Sequence, residues 1–280
     1  STEDGTAARN VLIGVGAPLM GKSLVPLRGP LRSGRNDVNM LWNDGPVYVM
    51  DNHRMAPWCW LQKIDRATCY DLVHIDQHHD CANVLTREGA CFLSSEPEMS
   101  LGRYLDQRDG RGIAAYPCIG WDNFIPAFCT AFPASLGTIC FVLHAPLPKA
   151  RLYQQRGEAL RTLPWRPQRF REWDVFSAQK EIRAILRAPA GNAVIIDLDL
   201  DFFFCSDGDG TLRCLSLEFV RRLCGAIYDG LSSQQVAVMT IALSPECCGS
   251  GLDGWRNAYD TCRVVFDALH LDFDLPALSK

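Results

Sequence analysis

Short, almost continuous apolar runs recur along the sequence, and they constrain the fold more than any other feature. A strand that is apolar at nearly every position must be covered on both faces, as strands are in a parallel sheet between helices. Six runs have this character: Val11–Val15, Val47–Met50, Leu72–Ile75, Ile139–Leu143, Val194–Leu200 and Val236–Leu243.

Amphipathic segments lie between these runs. Apolar residues repeat at helical spacing in Phe219–Leu231, Trp255–Leu269 and Ala178–Arg187. Alternating strands and helices predict an α/β fold, a three-layer α/β/α sandwich with a mostly parallel central sheet. We expect one domain over residues 1–280. Residues 21–39 are predicted to be an irregular arm or loop, and residues 148–173 a surface excursion, because both are rich in proline and arginine.

Charge, hydropathy and cysteine spacing exclude several classes of protein. A net charge of −4 and a pI near 5.9 argue against a nucleic-acid partner. No run approaches the roughly 20 apolar residues that cross a membrane, and the first residues do not have the pattern of a signal peptide. The thirteen cysteines form no CxxC pair, so we expect reduced core thiols in a cytoplasmic protein.

Aspartate and histidine concentrate in one short segment. Asp76, His78 and Asp80 form a D-x-H-x-D pattern that follows the run Leu72–Ile75, and on an extended chain their side chains project to the same side. Carboxylate oxygens and imidazole nitrogens without thiolates suit Mn²⁺ best, with Fe²⁺, Co²⁺ and Zn²⁺ as alternatives. This segment is therefore a candidate metal site.

A second acidic cluster lies within an apolar run. Asp197, Asp199 and Asp201 would share one face of a buried strand, where unpaired carboxylates are strongly destabilising. A pair of metal ions would offset that cost. His53 follows the run Val47–Met50, so three strands end in ligand-type residues, at the edge where open α/β sheets build their sites.

Each of these features alone has an ordinary structural explanation. An aspartate–histidine pair often caps a loop, and His74 by itself is typical of a core histidine with a backbone partner. Their joint occurrence at three strand ends favours a catalytic metal centre.

Three segments, in the same chain order, resemble the metal motifs of arginases and agmatinases: Asp51-Asn52-His53, Asp76-Gln77-His78-His79-Asp80 and Asp197-Leu198-Asp199-Leu200-Asp201. Phe202-Phe203 and the triplet Ser244-Pro245-Glu246 resemble the peptide arginases, a divergent branch that converts arginine side chains of ribosomally made peptides to ornithine. The resemblance spans residues 47 to about 249. This sequence departs from the superfamily pattern at two places. Asn52 stands where an aspartate usually precedes the histidine, and the Asp-Pro that usually closes the third motif is absent.

The resemblance implies an arginase-like metallohydrolase domain with two Mn²⁺ ions and six ligands: His53, Asp76, His78, Asp80, Asp199 and Asp201. Asp197 would be a partner behind the ligands or an alternative to Asp199 or Asp201. Asp80 and one strand aspartate are candidates for bridging the ions, and Asp80 is also a candidate catalytic residue that orients the nucleophile.

Further residues are implied for the substrate. Glu246 would be catalytic and substrate-binding, because its carboxylate can form charge-assisted hydrogen bonds with a guanidinium. Asn123, in the segment 120–124, is a candidate for the substrate groove. The proton donor to the leaving amine is left open between His79 and His144.

The resulting hypothesis is a hydrolase that cleaves the guanidinium of arginine side chains in a precursor peptide, giving ornithine and urea. Two divalent ions would lower the pKa of a water so that hydroxide forms near neutral pH. Alternatives keep the metal but change the substrate to free arginine, agmatine or an acylated amine. A non-catalytic interaction module would leave the buried aspartates without a role.

A second class of enzyme is suggested by residues 16–23, which match the phosphate-loop pattern GxxxxGKS. In an NTPase a helix must begin near Lys22, so that its amides face the phosphates. Pro26 and Pro30 fall where this helix should continue, and proline destabilises a helix interior. We therefore regard a P-loop NTPase as the less favoured alternative.

Overall fold

The computed structural model describes residues 21–27, 37–82, 85–95, 98–108, 116–144, 169–188, 191–207 and 210–272, and residues 275 and 278. The predicted strand Val11–Val15 and the first five residues of the phosphate-loop pattern lie outside this part of the chain.

Ten strands are described, and their order in the chain follows the predicted alternation with helices. Their bounds are β1 (Lys22–Val25), β2 (Leu41–Asp44), β3 (Val47–Met50), β4 (Tyr70–Ile75), β5 (Leu136–Leu143), β6 (Arg169–Asp174), β7 (Ala193–Asp199), β8 (Phe204–Asp207), β9 (Gly210–Arg213) and β10 (Val236–Ala242). Eight of them form one sheet in the order β1-β2-β3-β10-β7-β4-β5-β6, and β8 and β9 form a separate hairpin. From β3 to β6 every neighbouring pair in the sheet is parallel. The predicted mostly parallel sheet is therefore confirmed.

Seven α-helices are described in the same part of the chain. They are α1 (Ala56–Leu61), α2 (Thr86–Ser94), α3 (Leu101–Leu105), α4 (Phe124–Ala131), α5 (Ala178–Leu186), α6 (Leu217–Ser232) and α7 (Gly251–Leu269). Two 3₁₀ helices follow strand ends of the sheet: His53–Met55 is separated from β3 by two residues, and Leu200–Phe203 directly follows β7. The three predicted amphipathic segments correspond to α5, α6 and α7.

The helices lie on both faces of the sheet, and each face has its own apolar core. Val73 and Ile196 belong to the core shared with α5, α6 and α7. Leu72 and Ile195, one residue away in each strand, belong to the core shared with α1, α3 and α4. Because side chains alternate between the faces of a strand, adjacent apolar residues fill both cores. This confirms the predicted three layers.

Two predictions for irregular segments need correction. Strand β1 lies within residues 21–39, where we predicted an irregular arm or loop, and β6 begins within the predicted surface excursion and extends one residue beyond it. Both are edge strands, and an edge strand pairs with a neighbour on one side only. The sequence of such a strand can therefore contain polar and charged residues.

The phosphate-loop context is also absent. Lys22 and Ser23 belong to β1, which pairs with β2 in antiparallel orientation, so a strand occupies the place where an NTPase needs the start of a helix. No described helix is both long enough and apolar enough to span a membrane. All thirteen cysteines are free thiols. Seven are buried, as we predicted for core cysteines, whereas three are partly exposed and three are exposed.

Candidate metal centre

Four neighbouring parallel strands bring the predicted site residues to one edge of the sheet. The strands β3, β10, β7 and β4 are adjacent and parallel, so their carboxyl ends meet. His53 follows β3, Asp76 follows β4, Asp199 ends β7 and Ser244 follows β10. This is the edge at which open α/β sheets bind ligands.

The first group of possible metal ligands consists of His53, Asp76 and Asp80. One ligand atom of each lies within 4.8 Å of the others, and all three side chains are buried. His53 Nε2 is 3.8 Å from Asp76 Oδ2. Asp80 has a left-handed backbone conformation, φ 47°, which is uncommon for a residue with a side chain. The strain at Asp80 is of the kind that clusters at functional sites.

The second group consists of Asp76, His78 and Asp201. His78 Nδ1 lies 3.3 Å from Asp76 Oδ1 and 3.2 Å from Asp201 Oδ2. The His78 side chain is 51% exposed, so it marks the solvent side of the cluster. Asp76 belongs to both groups, whereas we predicted Asp80 and a strand aspartate as bridging residues. Asp76 directly follows β4 and directs its two carboxylate oxygens to different partners, which explains its central position.

Asp199 and Asp201 adjoin different groups. Asp199 Oδ2 is 2.7 Å from His53 Nε2 and accepts a hydrogen bond of 2.6 Å from Ser244 Oγ. Its other oxygen accepts a hydrogen bond from the Asp201 backbone amide at 2.9 Å. Asp199 therefore lies beside the first group and Asp201 within the second. That both aspartates are ligands stays a prediction.

Gln77 is a site residue that the sequence patterns did not identify. Its Nε2 donates hydrogen bonds to the backbone oxygens of Asp201 and Phe204. These bonds attach the D-x-H-x-D segment to the 3₁₀ turn that carries Asp201. In the sequence, only the position of Gln77 between Asp76 and His78 indicated a role in the site.

Asp197 and His74 lie deeper than the two groups. Asp197 Oδ2 is 2.8 Å from His74 Nδ1 and 3.2 Å from His53 Nδ1. Its Oδ1 accepts a hydrogen bond of 2.5 Å from Thr240 Oγ1. We predicted that His74 is a core histidine with a backbone partner. It is fully buried, but its partners are carboxylates, because Asp197 and Asp76 lie on either side of its ring.

The cluster has an excess of acidic groups. Burial raises the pKa of Asp80 well above its usual range, and the charge of Asp76 raises it further. Burial alone would lower the pKa of His74, but the adjacent carboxylates of Asp197 and Asp76 raise it to about 10. Burial therefore acts in opposite directions on the two groups, whereas the nearby carboxylates raise the pKa of both.

A metal ion fits this arrangement. Among the described residues Asp76 Oδ2 is a buried oxygen with no hydrogen-bond partner. Both groups contain only carboxylate oxygens and imidazole nitrogens, the ligands that suit Mn²⁺ and similar ions. A cation would balance the neighbouring carboxylates and occupy the free acceptor position at Asp76.

Glu246 lies on the loop that follows β10. The loop turns at Ser244, whose φ is 39°, and the Cys247 amide donates a hydrogen bond of 2.9 Å to the Ser244 carbonyl. A Cβ at Gly254, in α7, would collide with the Pro245 carbonyl oxygen, so the loop packs closely against that helix. Glu246 is exposed on this loop.

Cys247, the next residue, links this loop to the acidic cluster. Burial raises the pKa of its thiol, and the charges of Asp199, Asp201 and Asp76 raise it further. The loop that carries Glu246 is thus within electrostatic range of the two groups. The role of Glu246 in substrate binding stays a prediction.

Asn123 is held by its own turn. Its side-chain oxygen accepts a hydrogen bond of 2.8 Å from the Gly120 amide, and its nitrogen donates one of 3.1 Å to the Cys118 carbonyl. With 3% of the residue exposed, these bonds assign Asn123 to the turn before α4. Its role in substrate binding stays a prediction.

The two candidate proton donors have different surroundings. His144 Nε2 lies 3.1 Å from Cys214 Sγ, and its ring contacts Phe202 edge-on. The ring of His79 packs against Phe141, with centroids 5.4 Å apart. Neither contact selects one of the two histidines.

Comparisons with known proteins give likenesses of structure only. No family model matches the sequence, and no curated protein matches it. The arginase of Bacillus caldovelox is similar with a TM-score of 0.44 and 12% identity, over 83% of this chain and 70% of that one. The arginase of Entamoeba histolytica in complex with L-ornithine gives 0.42 and 12%, over 79% and 69%. The arginase of Helicobacter pylori gives 0.38 and 11%, over 78% and 72%. Similarity at this level does not assign the chain to a family and does not identify the roles of its residues.

Proposed function

We propose that the protein is a metal-dependent hydrolase that cleaves the guanidinium of arginine side chains in a peptide, releasing urea and leaving ornithine. The two overlapping groups of buried carboxylates and histidines, joined at Asp76, support this proposal most directly. Two overlapping groups favour a pair of ions over the single zinc of an acylated-amine hydrolase.

The residues that would hold the ions divide into two sets. His53, Asp80 and Asp199 would hold one ion, His78 and Asp201 the other, and Asp76 would contact both. When bound, two divalent cations supply a water that is deprotonated near neutral pH. We propose Mn²⁺ for both positions, with Fe²⁺, Co²⁺ or Zn²⁺ as alternatives.

The remaining chemistry is assigned to two carboxylates of this chain. Glu246 binds the planar cation of the substrate through charge-assisted hydrogen bonds and so fixes the central carbon over the cluster. Asp80 accepts a hydrogen bond from the nucleophile and orients it toward that carbon.

An open rim supports a peptide as the substrate. In the part of the chain that the structure describes, the His78 side chain is half exposed and Glu246 is exposed. An arginine within a peptide is flanked by peptide chain on both sides, so its side chain needs a site with an accessible rim. Free arginine suits an enclosed pocket.

Mass spectrometry tests the proposal. An arginine-containing peptide incubated with the protein and Mn²⁺ should lose about 42 Da per converted arginine, with urea released. Free arginine, agmatine and an acetyl-lysine peptide serve as competing substrates. A protein that binds metal but leaves the arginine peptide unchanged would exclude the substrate, and conversion of another compound would replace it.

Two variants make this test specific. Replacing both Asp76 and His78 with alanine should abolish metal binding and turnover. Asp71→Asn is the matched control. Asp71 lies near the start of β4, at the opposite end of that strand from Asp76, and its carboxylate accepts a hydrogen bond from the Thr138 amide. Equal activity of both variants would contradict the assignment of the site.

A further inference from the structure

A row of three polar side chains crosses the sheet directly beneath the two groups. His74 on β4 pairs in register with Asp197 on β7, and Asp197 pairs in register with Thr240 on β10. All three residues are completely buried. Polar residues in three adjacent strands of a core are costly unless their hydrogen bonds are satisfied, so this row requires a reason.

Both oxygens of Asp197 face side chains of the protein core. Its Oδ1 accepts the 2.5 Å hydrogen bond from Thr240, whose hydroxyl oxygen in turn accepts one of 3.2 Å from Trp60 Nε1. Its Oδ2 faces His74 Nδ1 at 2.8 Å and His53 Nδ1 at 3.2 Å. Asp197 belongs to neither group of possible ligands.

Two routes lead from Asp197 to the ligands. The direct route is through His53, whose Nδ1 faces Asp197 and whose Nε2 faces the cluster. The second route is through His74, whose Nε2 lies 3.3 Å from Asp76 Oδ2. One buried carboxylate therefore contacts, directly or through one ring, a ligand of each type: an imidazole and the shared aspartate.

We propose that Asp197 and His74 are positioning residues: Asp197 holds His53, and with His74 it holds Asp76, in the orientation that binds the ions. Thr240 and Trp60 fix Asp197 from behind. A carboxylate next to the outer nitrogen of a ligand histidine, as Asp197 Oδ2 is at 3.2 Å from His53 Nδ1, fixes the ring and strengthens it as a ligand. This inference rests on the proposed function, and it assigns Asp197 a role beside the ions instead of a ligand position.

Titration calorimetry of the metal-free full-length protein with Mn²⁺ tests the inference. Asp197→Asn keeps the shape of the side chain but cannot receive the same hydrogen bonds as a charged carboxylate. We expect Mn²⁺ to bind about 10- to 100-fold more weakly, with the number of ions unchanged at two. Asp71→Asn is again the control and should bind as the unaltered protein does.

Two further variants keep the test decisive if Asp197→Asn does not fold. His74→Gln removes the ring between Asp197 and Asp76, and Thr240→Val removes only the hydroxyl that fixes Asp197. Both should weaken Mn²⁺ binding, Thr240→Val the less. Because Asp197 acts on Asp76 through His74, the double change of both should weaken binding less than the product of the two single effects.

The outcomes separate this inference from the proposed function. Unchanged Mn²⁺ affinity in the folded Asp197 and His74 variants overturns the inference while the function stands. A loss of one ion in Asp197→Asn also overturns it, because Asp197 would then be a ligand. An unaltered protein that binds no metal overturns the metal centre itself, and metal binding without peptide conversion overturns only the substrate.

Discussion

Asp199 Oδ2 lies 2.7 Å from His53 Nε2, although 146 positions separate the two residues in the chain. The contact joins the ends of β7 and β3, which are not neighbours in the sheet because β10 lies between them. Both side chains reach across the end of β10 to meet. An arrangement of this kind positions ligands from different strands around a common point.

Metal binding should stabilise the folded protein. An ion that binds only the folded state at 100 times its dissociation constant adds about 2.7 kcal/mol, which corresponds to a Tm increase of roughly 5–10 °C. Differential scanning fluorimetry with Mn²⁺ and with a chelator measures this shift. It should vanish in Asp76→Asn and persist in Asp71→Asn, and identical Tm values for the loaded and chelated protein would contradict the metal centre.

Ser244 supports the site through Asp199. Its hydroxyl donates a hydrogen bond of 2.6 Å to Asp199 Oδ2, and hydrogen bonds to charged groups contribute about 1.5–3 kcal/mol. Ser244→Ala should therefore lower kcat/KM roughly 10- to 100-fold.

The backbone at Ser244 provides a control for this prediction. Its φ of 39° is strained for alanine but not for glycine. Ser244→Gly should lose as much activity as Ser244→Ala while unfolding at a higher temperature. If glycine restored activity, the backbone and not the hydroxyl would be the important feature.

The sequence predicts the sheet and the two metal motifs because both depend on local periodicity. Apolar runs without alternation indicate covered parallel strands, and D-x-H-x-D places its side chains on one side of an extended chain. The carboxyl ends of parallel strands lie at one edge, so the meeting of His53, Asp76 and Asp199 follows from the same reasoning.

Other features depend on the order of the strands. His74, Asp197 and Thr240 meet because β7 lies between β4 and β10 and pairs with both in one register. No local pattern specifies that order, so His74 was predicted to have a backbone partner. Strand β6 was missed for a different reason: the segment RFREWD is largely charged, which only an edge position permits.

Lys22 distinguishes the hydrolase from an NTPase. It is exposed on the edge strand β1, so Lys22→Ala removes no contact of the acidic cluster. We expect unchanged peptide conversion, measured by mass spectrometry under the conditions given above. A large loss of activity, or ATP hydrolysis that depends on Lys22, would revive the phosphate-loop hypothesis.

Glu246 should act on the substrate and not on the metal. Glu246→Gln keeps the shape of the side chain but removes the charge that pairs with a guanidinium, so kcat/KM should fall about 10- to 100-fold, mainly through KM. Mn²⁺ binding, measured by calorimetry, should stay unchanged because Glu246 belongs to neither group of ligands. Glu218→Gln is the matched control, since Glu218 is an exposed glutamate on α6 that pairs with Arg222. A Glu246 variant that loses metal instead of substrate affinity would place this carboxylate among the ligands and leave the guanidinium without its proposed partner.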